Sequence, residues 1–223
     1  MAATQGSEQS DETPESKEST GKKKFGVYSK GKNRADEILA AAQSVLIDQG
    51  YHKFSMRQVA NVAGVRLANI QHYFPTKGAL VEALLHYALE SYLNRWESIH
   101  NTSTEPRQEL IEVIESVVFD LNERRTTIFF PELWSMANHD DAADGHVDNM
   151  YARYRAVVSE IVSRINPALD PQQCNRIALF ISASLEGHTM FIGHNKKWQP
   201  ETAAIASMAA QSFLWLIEHG EVP

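Results

Sequence analysis

The sequence predicts an all-α protein: an N-terminal three-helix helix-turn-helix domain followed by a larger C-terminal helical bundle domain, about nine helices in all. Three observations carry the prediction. Between Ser55 and Gly78 two short helical patterns are hinged at Gly64. Upstream and downstream of that pair, apolar residues recur at three- and four-residue spacing. Helix start and stop signals, among them Gly50, Gly64, Thr76, Pro106 and the Asp170-Pro171 pair, punctuate those stripes at ordinary helix lengths.

In chain order, residues 1–21 are rich in Ser, Thr, Glu and Gln and almost free of large apolar groups. Such a segment buries too little surface to offset its ordering entropy, so residues 1–30 are expected to be a disordered arm, acidic and then basic. Lys22, Lys23, Lys24, Lys30, Lys32 and Arg34 supply the basic part. That run suits a solvated face or a tail that tracks phosphates or enters a minor groove. The helix-turn-helix domain is expected over residues 31–78. Asn33 to Gln49 reads as its first helix, with Ile38, Ala41, Ala42, Val45 and Leu46 on one stripe and Gly50 as the stop. Ser55 is placed to cap the second helix, with Gln58 as the return half of a capping box and Phe54 against Val59 as a hydrophobic staple. Val59 and Val62 give that helix its apolar side, and Gly64 ends it. A third helix follows from Arg66 to about Tyr73, with Leu67, Ile70 and Phe74 spaced to pack inward.

These residues carry a resemblance. The run ILAAAQSVLIDQGYHKFSMRQVANVAGVRLANIQHYFPTKGAL resembles the N-terminal DNA-binding domain of the tetracycline-repressor (TetR) family of transcriptional regulators. The similarity covers roughly residues 33–85. Its specific parts are Gly50, the Ala-Gly-Val turn at Ala63 to Val65 and the Tyr-Phe-Pro-Thr-Lys run at Tyr73 to Lys77. The resemblance implies a sequence-specific DNA-binding regulator. It further implies a repressor released from its operator by a small-molecule effector, acting as a homodimer through the last two helices.

Charge agrees with that reading. The total is −7, but residues 22–78 carry ten basic against three acidic groups, and residues 79–223 carry ten against twenty. A basic head on an acidic body presents the head to a duplex. Within the head, Ser55, Tyr73 and Lys77 are the phosphate candidates; Ser55 and Lys77 sit at helix starts, where backbone N–H groups and the helix dipole favour anions. Arg57 matches a family position that reaches a base, and arginine holds guanine bidentately. Gln71 suits adenine, Leu67 and Ala68 suit thymine methyls, and Asn69 and His72 complete the reading face. Arg66 stands where the family usually has a small capping residue, and Gln71 where many relatives have Tyr. A phosphate or a guanine is an alternative partner for Arg66. Against these stand an Arg57 salt-bridged at the surface and a Leu67 wholly in the core.

Residues 79–223 are expected to form the ligand-binding and dimerisation domain. Leu80 to Trp96 is apolar on much of its girth, as in a rod linking head and body. The Asn101 to Thr104 run breaks it, and Pro106 opens the next helix, with Leu110 to Leu121 thoroughly apolar. Thr126 and Thr127 are expected to start another, followed by a polar loop from Asn138 to Gly145. Val147 to Ile165 is a long amphipathic helix ending before Pro167. Asp170 caps a helix running to about Gly193, and Glu201 to Glu218 is the last. The final two carry many small residues (Ala178, Ala183 and Gly187 on one, Ala203, Ala206 and Ala210 on the other), suiting close approach in a C2 dimer or plain intrachain packing.

No phosphate loop, paired Cys/His motif or nucleophile elbow occurs. His139, Asp140, Asp141, Asp144 and His146 crowd together, but their spacing matches no dependable ligand pattern, so neither metal nor cofactor is expected. The alternatives are a helical metal-binding enzyme built on that run and a dimeric scaffold without DNA affinity. Phe130, Trp134, Tyr151 and His188 are the candidate effector-cavity residues; plain core is the competing reading for each. The single cysteine, Cys174, and the absence of any apolar run of membrane-spanning length agree with a cytoplasmic protein.

Overall fold

The computed structural model describes residues 22–103 and 105–220, with side chains from residue 34 onward. The disorder expected of residues 1–21 concerns residues outside that range. All regular structure among the described residues is helical: α1 (Lys22–Gln49), α2 (Met56–Val62), α3 (Leu67–Tyr73), α4 (Lys77–Thr102), α5 (Pro106–Asp120), α6 (Arg124–Ala137), α7 (Asp141–Ile165), α8 (Pro171–Ile192) and α9 (Thr202–His219). Short 3-10 turns lie at Tyr51–Lys53 and Gln199–Glu201. No described helix is long and apolar enough to cross a membrane.

Local chemistry sets most boundaries. Gly50 (φ 77°) and Gly64 (φ 65°) adopt the left-handed backbone that a side chain resists, and each follows a helix. Ser55 accepts from the Gln58 amide at 3.2 Å and Thr76 from the Ala79 amide at 3.0 Å. Asp170 and Gln173 form a complete capping box, with Pro171 at the first helical position.

Four boundaries or faces differ from expectation. The first helix begins at Lys22 rather than Asn33, because straight-chain lysines lose little rotamer freedom in a helix and no proline interrupts the run. Gln58 does not return to the Ser55 backbone; its amide donates to Gln49 Oε1 at 2.8 Å, which joins α2 to α1. Val62 is exposed, since Val59 and Ala60 already fill the α2 contact. The polar loop expected over Asn138–Gly145 is confined to the turn before α7, because Asp140 accepts from the Ala142 and Ala143 amides and starts a helix there. Thr126 and Thr127 likewise lie inside α6, which starts at Arg124. Thr127 is buried, donates to the Leu121 carbonyl at 2.7 Å and accepts from the His194 amide at 2.8 Å.

The apolar interior falls into two clusters. The first runs from the stripe of α1 (Ile38, Ala42, Val45, Leu46) through Val59, Ile70 and Phe74 to Leu80, Leu84 and Leu85 of α4, then onto Phe129, Leu133 and Met136 of α6 and Val147 of α7. The head therefore shares its core with α6 and the start of α7, and residue 78 is not a core boundary. The second cluster joins Trp96 to α5, α7, α8 and α9. Within it, Glu109 is 3% exposed and held by Arg164 at 2.7 Å and His100 at 3.0 Å, which satisfies a carboxylate that would otherwise be costly to bury.

Candidate nucleic-acid interface and ligand cavity

In the head, α3 is anchored by two residues and offers the rest. Ile70 is fully buried and Phe74 nearly so, whereas Ala68, Asn69, Gln71 and His72 are exposed. Leu67 is half-buried and does not belong to the core cluster, so its methyl groups remain partly available. Tyr73 packs partly against the core and meets the edge of His72 at 5.2 Å. Arg66 occupies the N-cap position with extended backbone and makes no capping hydrogen bond. Arg57 and Ser55, at the start of α2, are exposed, and among the described residues Arg57 and Arg66 make no ion pair. One side of the head thus carries Ser55, Arg57, Arg66, Leu67, Ala68, Asn69, Gln71 and His72 with no packing role that consumes them.

Lys77 differs. It begins α4, but its ammonium lies over the Tyr51 ring at 5.0 Å and 4.0 Å from Asp140, the residue that caps α7. Tyr51 in turn stacks on His139 at 6.4 Å and donates its backbone N–H to Glu132 of α6 at 2.6 Å. Arg124 of α6 pairs with Asp48 of α1 at 2.8 Å. The acidic run at His139 to His146 therefore serves as a helix cap and a contact for the head. Among the described residues no three metal-ligating side chains converge.

The body holds a cavity of about 40 Å³, on the scale where one water takes about 10–15 Å³. Phe130 of α6 and Tyr151 of α7 line it, joined by Tyr92, Trp96, Tyr154 and Glu186. Trp134 stands one layer behind, its indole N–H donating to the Tyr151 hydroxyl at 2.8 Å. His188 is not part of the wall: two residues beyond Glu186 on α8 is about 200° of rotation, which turns it elsewhere. Its Nδ1 is buried without a partner among the described residues, and burial lowers its pKa.

Sequence reasoning missed Glu186, the one ionisable acid of the cavity. Its only signal was a carboxylate inside the apolar run of α8, read as a neighbour of His188. Burial pushes its carboxyl up to about 7, partly opposed by a hydrogen bond from Tyr151. Burial also raises the Tyr151 and Tyr154 hydroxyls well beyond the ordinary tyrosine range, so both are protonated donors at neutral pH. A carboxyl with a raised folded pKa binds its proton more tightly than in the unfolded chain. Stability therefore falls as pH rises from the ordinary glutamate range to about 7. Glu186→Gln is expected to raise the melting temperature at pH 8 and to change it little at pH 5, as measured by thermal denaturation at both values.

Comparison with known proteins adds two stretches. Residues 38–84 match the model described as bacterial regulatory proteins of the tetR family, and residues 106–211 match the C-terminal domain of BetI-type transcriptional repressors. Over 78 residues the chain is 31% identical to the transcriptional repressor KstR2 of Mycolicibacterium smegmatis, covering 35% of this chain and 38% of that protein. Over 74 residues it is 38% identical to the transcriptional regulator RutR of Escherichia coli K12, covering 33% of each. The matched part thus spans little more than a third of these relatives. A TetR transcription regulator from Haloarcula marismortui superposes with a TM-score of 0.66 at 16% identity, over 82% of this chain and 97% of that one. The fold is shared across head and body alike.

Proposed function

We propose a function from one premise: the chain belongs to the TetR family of transcriptional regulators. It binds an operator as a homodimer, reads base edges with α3, and releases the operator when a small molecule occupies the cavity of the body. The observation that carries the reading is the division of α3. Ile70 and Phe74 fix the helix to the core, and Ala68, Asn69, Gln71 and His72 face outward with nothing to hold them there. A helix anchored on one side and polar on the other is what a major groove accepts.

Positioning falls to Ser55, Tyr73 and Lys77. The Lys77–Asp140 pair is long and more than a third exposed on the lysine side, so it stabilises the fold little and a phosphate can compete for the same ammonium. Two heads on one duplex require two subunits, and the surface for that is on α8 and α9. Leu179, Phe180, Met190 and Phe191 of α8 and Met208 and Trp215 of α9 are all more than half exposed. Such an apolar patch, beside small Ala183 and Gly187, supports a symmetric helix-pair interface.

Release has a physical route. Phe130 lines the cavity, and two residues along α6 Glu132 holds the Tyr51 amide of the head. Along α7, Asp140 faces Lys77 while Met150 and Tyr151 face the cavity. A ligand that favours another spacing of these helices weakens operator binding by that differential affinity.

Fluorescence anisotropy on labelled operator duplex tests the assignment. Arg57→Ala is expected to cost ~1–3 kcal/mol and to relax preference at one base pair. Lys77→Ala is expected to weaken all sequences alike and to reduce the salt slope by about one. Equal losses on specific and random duplex from Arg57→Ala would remove its base-reading role.

A further inference from the structure

We propose that the cavity of the body takes a small organic cation, a quaternary ammonium or a protonated amine, with the Glu186 carboxylate as its counter-charge. The proposal rests on the reading of this cavity as the effector site and adds the chemistry of what enters it.

The wall is a continuous run of rings. Phe130 meets Tyr92 at 5.9 Å between centroids, Tyr92 meets Trp96 at 6.5 Å, Trp96 meets Tyr154 at 4.9 Å, and Tyr154 meets Tyr151 at 6.4 Å. The interplanar angles along that run lie between 42° and 77°, so the rings turn around the space instead of stacking into a slab. Ring faces carry negative potential, and a wall that turns presents several of them to one point, which is the arrangement that holds an alkylammonium.

Hydrogen-bond direction then assigns the acid. The Trp134 indole can only donate, and it donates to the Tyr151 oxygen. The one proton of Tyr151 is left for Glu186, which accepts it. Glu186 thus behaves as an acceptor in a water-poor, aromatic space, and its remaining lone pairs have no donor among the lining residues. The groups that face it are the hydroxyls of Tyr151 and Tyr154 from α7 and of Tyr92 and Thr126 from α4 and α6; α5 contributes the apolar Val117. On its own helix the nearest titratable group is His188, which burial keeps neutral. No Lys or Arg lines the cavity, so the missing positive charge is the ligand's to bring. Room for about three waters limits the ligand to a compact head, or requires it to push the rings apart.

The carboxyl sits near 7 in the empty cavity, so a cation must draw off its proton to bind. Affinity is therefore expected to rise about tenfold between pH 6 and pH 8 as the ionised fraction goes from roughly a tenth to nine-tenths. Tyr151→Phe keeps the ring but removes the hydrogen bond that favours the carboxylate, so the midpoint of that rise is expected to move to higher pH.

The test uses three probes with the same five heavy atoms: tetramethylammonium, protonated tert-butylamine and neutral tert-butanol. Binding to the full chain is followed by tryptophan fluorescence and by melting temperature. Both cations are expected to bind saturably and tert-butanol at least tenfold more weakly. Glu186→Gln is expected to lose tenfold or more in cation affinity while melting no lower than the unaltered protein. Equal binding of the alcohol, undiminished cation affinity in Glu186→Gln, no binding of either cation, or no pH dependence in the unaltered protein would each overturn the proposal. Operator anisotropy in the same samples separates it from the effector reading. A cation that binds without changing operator affinity removes the release mechanism and leaves the cation site standing.

Discussion

Met208→Asp is expected to leave the subunit folded and to abolish the dimer, lowering operator affinity by more than about a hundredfold. Met208 is 64% exposed on α9, so the carboxylate meets water in the isolated subunit and costs the monomer little. In a symmetric interface the same change occurs twice, and each copy places an unpaired charge against Leu179, Phe180 or Trp215 of the apolar face. Burying one unpaired charge costs roughly 3–5 kcal/mol, and about 1.4 kcal/mol is tenfold in a binding constant. Circular dichroism should report unchanged helix content, sedimentation a halved mass, and anisotropy the loss of operator binding. A variant that remains dimeric would move the interface away from α8 and α9.

Phe129→Ala is expected to destabilise the fold by about 3–5 kcal/mol, a large share of the roughly 5–15 kcal/mol that holds a domain together. Phe129 is 2% exposed, lies edge-on to Phe130 at 5.6 Å, and belongs to the core that head and body share. Its loss opens a cavity where α6 meets α4, and the surrounding helices close it only in part. For a chain of this length a drop in melting temperature of about 6–20 °C follows. Because Phe130 lines the ligand cavity and Glu132 holds Tyr51, ligand affinity and head stability should fall together in this variant. A melting temperature within about 2 °C of the unaltered protein would mean that the two parts are cored separately.

What the sequence made legible was local. Ser55 with the Gln58 amide, Gly50 and Gly64 with their left-handed backbone, and Asp170 with Pro171 and Gln173 all act within four residues, so residue order alone exposes them. The stripe Ile38, Ala41, Ala42, Val45 and Leu46 was legible for the same reason, since one helix period sets it. Pairings between distant segments were not. Lys77 read as a phosphate ligand because nothing nearby shows that Asp140 and Tyr51 sit beside it. Asp140 read as part of a solvated acidic loop, yet its position before Ala142 and Ala143 makes it a cap.

The cavity shows the same limit. Phe130, Trp134 and Tyr151 were picked for their aromatic character, and the structure sets two of them on the wall and one behind it. His188 attracted attention as a histidine among apolar neighbours, whereas Glu186 faces the space. Which of two polar residues on one helix turns inward depends on the rotation of α8 against α7, and that is fixed by packing outside the motif. Gln58 illustrates a competing partner: the capping-box return was available, but Gln49 offered an acceptor at 2.8 Å.

The most direct test of the central claim is selection of bound sequences from a random duplex library by the purified full chain at physiological salt. Enrichment of two inverted half-sites, their centres separated by about one helical turn or a multiple of it, is the predicted result, because each subunit of a two-fold dimer brings one α3 to the same face of the duplex. Recovery of an unenriched pool, or of a motif unchanged when Asn69 and Gln71 are replaced by Ala, would contradict it.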